Sequence, residues 1–127
     1  MYDQNNVFAK MIRGEIPCNK ICENDHAMSF HDINPMTTTH VLVIPKGDYE
    51  NVLDFVTRAT PDAQAGFWAC FRETAEKLGI DHDFNILANA GENAPVVKQS
   101  VFHFHLHLLA GERTQDFAHE MDCPCHK

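Results

Sequence analysis

Apolar residues recur at helical spacing near the start of the chain, at Val7, Phe8, Met11 and Ile12, with Asn5 and Asn6 ahead of them as cap candidates. This predicts a short helix over residues 7–14, stopped by Gly14. Two strands follow, over 18–22 and 27–33, around a polar turn at Glu23-Asn24-Asp25-His26. Residues 40–44 read His-Val-Leu-Val-Ile, an almost continuous apolar run ended by Pro45, which suits a buried strand. A short helix is predicted over 51–57. A longer one starts at Thr60-Pro61-Asp62, where a cap oxygen, a first-turn proline and an acid meet the positive end of the helix dipole. Phe67, Phe71, Ala75 and Leu78 form its apolar stripe, and Gly79 ends it. Residues 83–88 predict a fourth strand, 90–98 a loop and 101–109 a fifth strand. The order implies an α+β domain with a five-stranded antiparallel sheet, one long helix and a short N-terminal helix. The domain is expected to span 1–110, followed by a patternless tail over 111–127.

Composition narrows the function. The chain has 127 residues, enough for one domain with one core. Acidic residues outnumber basic ones 18 to 10, for a net charge of −8. A nucleic-acid platform is therefore not expected, because phosphate backbones are held mainly by Lys and Arg. No apolar stretch is long enough to span a bilayer, and Met1 to Asn6 are polar, unlike a signal peptide. Five cysteines, an odd number, argue against a fully paired secreted framework. A soluble cytoplasmic protein is expected.

The chemistry concentrates in residues 99–109, Gln-Ser-Val-Phe-His-Phe-His-Leu-His-Leu-Leu. On a regular strand Phe102, Phe104, Leu106 and Leu108 share one face, and His103, His105 and His107 share the other. The outer two histidines would lie roughly 13 Å apart at the backbone. A purely structural row would need a hydrogen bond for every buried imidazole. A metal site could draw on His-x-His with His40 or a carboxylate. A catalytic row could supply a nucleophile, its orienter and a proton donor to a phosphate.

The segment resembles the histidine triad (HIT) family pattern, His-φ-His-φ-His-φ-φ with φ apolar. Residues 7–17, 30–35 and 39–46 resemble the family's N-terminal helix and central strands, and Gln99-Ser100-Val101 is similar to its Hint branch. This resemblance implies a homodimer that cleaves purine nucleotide conjugates, of AMP or GMP, at the α-phosphate. Bonds of the phosphoramidate type are the expected targets, and dinucleotide polyphosphates or a non-catalytic nucleotide-binding role are the alternatives. It assigns His105 as nucleophile, His107 to the leaving group, His103 to organising the site and His40 to the phosphate. Asp32 would hold the ribose hydroxyls. Phe8, Met11, Ile16, Phe30, His31 and Ile33 would form the base pocket, and Asn89, Gln99 and Ser100 the phosphate contacts. Asn93 is the alternative to Asn89, because the loop over 90–98 departs from the family's usual connection. No cofactor or catalytic metal is implied. Cys123, Cys125 and His126, with Cys18 and Cys22, raise a structural zinc as a lesser expectation.

Overall fold

The computed structural model describes residues 1–114. In chain order the elements are α1 (Val7–Ile12), β1 (Lys20–Glu23), β2 (Ala27–His31), β3 (Thr37–Pro45), α2 (Val52–Arg58), α3 (Pro61–Leu78), β4 (Phe84–Leu87) and β5 (Leu106–Arg113). The five strands form one sheet in the order β1-β2-β3-β5-β4, antiparallel at every step. All eight elements match the sequence expectation in type and order. No helix among the described residues is long and apolar enough to cross a membrane.

The middle of the sheet is covered on both faces. On one side Val43, Phe104 and Leu106 pack with Phe55 of α2 and with Phe67 and Cys70 of α3. On the other, Met28, Phe30, Leu42 and Ile44 pack with Phe8 of α1. Burial on both faces is why residues 41–44 are apolar without alternation. α3 begins at Thr60, whose hydroxyl accepts the Ala63 N–H at 3.1 Å, and ends at Gly79 in the left-handed region. Its buried stripe is Phe67, Cys70 and Thr74, rather than Phe67, Phe71, Ala75 and Leu78, of which only Phe67 is fully covered. Thr74 sits there because it is paired. Its hydroxyl donates to the Cys70 carbonyl at 2.7 Å and accepts from Ser29 at 2.6 Å.

Two strands depart from expectation in ways that matter for the site. β3 starts at Thr37 and includes Pro45. Its polar first turn pairs with the far end of β5, where Thr37 lies opposite Arg113 and Thr39 opposite Ala110. β5 therefore runs to Arg113, past the domain end expected at 110, and it begins only at Leu106. Residues 101–105 lie off the ladder. Their neighbours hold them differently: Phe104 N–H donates to the Tyr49 carbonyl at 2.8 Å, and the Gln99 carboxamide donates to the Val101 carbonyl at 2.9 Å. Phe102, expected in the core with Phe104, is 39% exposed in consequence.

Candidate active site

α1 is capped by Asn6, whose side chain accepts the Ala9 N–H at 2.9 Å, and this aims Phe8 at the sheet. Phe8 meets Phe30 edge-on at 5.6 Å and His105 at 5.0 Å. Where β3 and β5 pair, Leu42 lies opposite His107, so these two side chains share the α1 face. Between α1 and that face is a cavity of about 230 Å³. Phe8, Met11, Phe30 and Leu42 give it apolar walls, while His31, Asp32 and Ser100 bring polar groups to it and His105 and His107 line it too.

Each imidazole in the cluster has an assignable tautomer, set by its neighbours. Nδ1 of His105 lies 2.8 Å from the His103 carbonyl, which can only accept, so Nδ1 carries the proton. Nε2 is left as a lone pair for the cavity that His105 lines. His103 has its Nε2 2.7 Å from the Pro45 carbonyl, so that nitrogen carries the proton, and Nδ1 accepts from the Tyr2 hydroxyl. His40 accepts the Met36 N–H on Nδ1 at 3.0 Å. Its proton is therefore on Nε2, which lies 2.9 Å from Nδ1 of His107 and 3.4 Å from a carboxylate oxygen of Asp32. His107 accepts on Nδ1 and so carries its own proton on Nε2.

Burial holds all four rings neutral. Desolvation depresses His105 below the ordinary imidazole value. Desolvation and repulsion from His105 lower His103 to about 4, and desolvation with repulsion from His105 and His40 lowers His107 to about 3. His40 is pulled down by burial and partly restored by Asp32. Every buried side-chain nitrogen and oxygen among the described residues has a hydrogen-bond partner.

One donor set invites a cation: ligand atoms of Asp32, His40 and His107 lie within 4.8 Å of one another. The chemistry of the set does not fit. A ligating His40 Nε2 must give up its proton to Nδ1, where the Met36 N–H already points. The His-x-His pair fails differently, because both ring nitrogens of His103 are engaged with Tyr2 and Pro45. Cys22 donates its thiol to Glu73 at 3.0 Å, and Cys123, Cys125 and His126 lie outside the described residues.

Of the residues singled out in the sequence, Phe8, Met11, Phe30, His31, Asp32, Ile33, Ser100, His105 and His107 come together around the cavity. Ile33 stands at its mouth, 87% exposed. His40 and His103 support the site from behind. Ile16, Asn89 and Gln99 are not among the lining residues. The carboxamide of Gln99 is committed to backbone, accepting from Gly91 N–H and donating to the carbonyls of Glu50 and Val101. These bonds staple the 91–99 loop to its neighbours. Leu42, Pro17 and Asn19 also line the cavity. Leu42 was legible from strand alternation, since residues 40 and 42 share a face, whereas Pro17 and Asn19 gave no such signal.

Comparison with known proteins agrees with this geometry. The HIT domain family model matches residues 13–114. A 13.2 kDa HIT-like protein of Azospirillum brasilense is 50% identical over 113 residues, covering 88% of this chain and 90% of that one. A histidine triad protein of Clostridium difficile superposes with a TM-score of 0.74 at 31% identity, over 91% of this chain and 98% of the other. A HIT family hydrolase of Clostridium thermocellum gives a TM-score of 0.70 at 31% identity, over 90% and 96%. With His105 and His107 lining the cavity, His103 behind them, and the family model spanning most of its length, this chain belongs to the histidine triad family.

Proposed function

We propose that the protein is a purine nucleotide hydrolase that cleaves phosphoramidate or related bonds at the α-phosphate, through a nucleotidyl intermediate on His105. The observation that carries this reading is the Nδ1–H of His105 bound to the His103 carbonyl at 2.8 Å, in a buried ring. That bond leaves Nε2 unprotonated beside the cavity, and an imidazole in that state is a competent nucleophile at neutral pH. The likeness to a HIT family hydrolase supports the hydrolase class.

In the proposed reaction the base lies among Phe8, Met11, Phe30 and Leu42, and the ribose hydroxyls meet Asp32. Nε2 of His105 forms a bond to the α-phosphorus as the bond to the leaving amine breaks. An anionic phosphate in the cavity favours the charged imidazole and so raises the pKa of His107. His107 thereby takes up a proton from solvent and delivers its Nε2 proton to the leaving amine. In the second half water attacks the phosphorus and gives a proton to His107, the bond from phosphorus to Nε2 of His105 breaks, and the nucleoside monophosphate leaves with both rings ready for the next turnover. Neither half requires a metal or cofactor. A homodimer is part of the proposal, supported by the edge position of β4 and the exposure of Phe84 and Ile86 upon it.

The test is turnover of an AMP amide with and without chelator, combined with quenched-flow mass spectrometry. An acid-labile nucleotidyl adduct on His105 and chelator-insensitive turnover are expected. Absence of turnover, or turnover abolished by chelator, overturns the reading.

A further inference from the structure

His103 and His105 precede the first ladder residue of β5, so the sheet does not hold the segment that carries them. Apart from the Phe104 N–H bond to the Tyr49 carbonyl, side chains do it. The ring of His103 is 1% exposed and is fixed at both nitrogens, by the Pro45 carbonyl on Nε2 and the Tyr2 hydroxyl on Nδ1. Tyr2 meets it edge-on with ring centroids 5.6 Å apart, and Phe8 meets it at 6.3 Å from another side. The backbone carbonyl of this anchored residue is the one that receives the His105 Nδ1 proton. Tyr2 is itself tied down. Two residues on, Gln4 donates to Asp48 at 2.5 Å, and Arg13 donates to the Gln4 carbonyl at 2.9 Å.

From this chain of contacts we infer that Tyr2 is a positioning residue, whose hydroxyl anchors the His103 ring at Nδ1 while Pro45 holds it at Nε2, and so fixes the residue whose backbone carbonyl orients His105. The inference rests on the nucleophilic role proposed for His105. The Pro45 carbonyl can only accept and so keeps the ring proton on Nε2, which leaves Nδ1 as the lone-pair nitrogen that takes the Tyr2 hydroxyl hydrogen. The other polar groups around the ring are Pro45 on β3, Asp48 in the β3–α2 connection and His105 on its own segment. Of these, Pro45 and Asp48 favour a charged ring, and burial and His105 oppose it.

The test pairs Tyr2→Phe, which keeps the ring and removes the hydroxyl, with Gln4→Ala, which loosens the segment and leaves the hydroxyl. Two readouts are needed: steady-state kinetics, and long-range ¹⁵N–¹H spectra of the histidine rings across a pH series. For Tyr2→Phe the expected result is a fall in kcat on the order of tenfold with KM nearly unchanged, as for a misaligned reacting group. His103 should keep its proton on Nε2, held by Pro45, while its Nδ1 resonance shifts as the hydrogen bond from Tyr2 is lost. Gln4→Ala keeps the hydroxyl and the Arg13 bond to the residue-4 carbonyl, and should show a smaller change than Tyr2→Phe in both readouts. A His103 spectrum unchanged by Tyr2→Phe overturns the inference, as does an unchanged kcat or a Gln4→Ala variant with the same defect. If the protein turns over no nucleotide, the ring spectra still decide the role of Tyr2, because they are recorded on the resting protein.

Discussion

His40 hands its Nε2 proton to Nδ1 of His107 across 2.9 Å, and it can do so because Met36 N–H fills its own Nδ1 at 3.0 Å. A backbone amide in the turn before β3 thus decides which nitrogen of His107 carries a proton in the cavity. Replacing His40 with Phe leaves Nδ1 of His107 without its donor. Activity toward an AMP amide should drop by on the order of 10²-fold, mostly in kcat. His40→Gln keeps an N–H near that point and should recover part of the loss. Steady-state kinetics on the two variants check this.

The pH profile of the free enzyme follows from the buried rings. His105 is depressed by desolvation, so kcat/KM should hold level as the pH falls through the ordinary imidazole value of about 6.5 and decline only below it. A midpoint at or above 6.5 would contradict a neutral, buried nucleophile.

The same shifts make stability pH-dependent. In the unfolded chain these histidines take up protons near pH 6.5, whereas His103 in the fold resists to about 4 and His107 to about 3. Between those limits the unfolded state binds more protons, so stability falls as pH falls. The loss for His103 alone should be on the order of 3 kcal/mol by pH 4. Urea midpoints measured from pH 7 to pH 4 test the sign and the window.

Gln99 and Ser100, adjacent in sequence, should behave differently. Gln99→Ala removes three bonds to backbone, leaving the Gly91, Glu50 and Val101 partners to find water. A loss of about 1–3 kcal/mol and a lower Tm are expected. Ser100 is exposed and lines the cavity. Ser100→Ala should leave Tm unchanged and weaken catalysis. Calorimetry and kinetics on both variants separate the loop staple from the cavity contact.

Gly66 of α3 lies against the β1–β2 turn. A Cβ there would lie 2.7 Å from Cβ of His26, while Asn24 donates to the Gly66 carbonyl at 2.8 Å. Alanine favours a helix interior over glycine by about 1 kcal/mol, yet overpacking against a fixed Cβ costs about 1–3 kcal/mol. Gly66→Ala should therefore lower Tm modestly and leave kcat unchanged.

By itself the sequence determined the element order, the α+β class and the three histidines as the place to look. Hydrophobic periodicity and capping are local, and they survive without knowledge of partners. Thr60, Gly79 and the apolar run over 41–44 all do in the fold what their neighbours in sequence require. The start of β5 was not legible, because alternation continues through residues 101–105 while their backbone groups are claimed by Tyr49, Gln99 and His105 instead of a neighbouring strand. The bonds of Gln99 to Gly91, Glu50 and Val101 were not legible either, because a polar side chain gives no sign in the sequence of which way it turns.

What only the tertiary structure decided is the proton arrangement. The tautomers of His40, His103, His105 and His107 depend on Met36, Pro45, Tyr2 and the His103 carbonyl, and Tyr2 lies 101 residues from the ring it meets. Residue type says that an imidazole can accept or donate. Which nitrogen does so is fixed by a single buried partner, and burial in turn keeps the ring neutral. The sequence supplies the imidazoles, and the packing of α1, β3 and the segment before β5 decides where each proton sits.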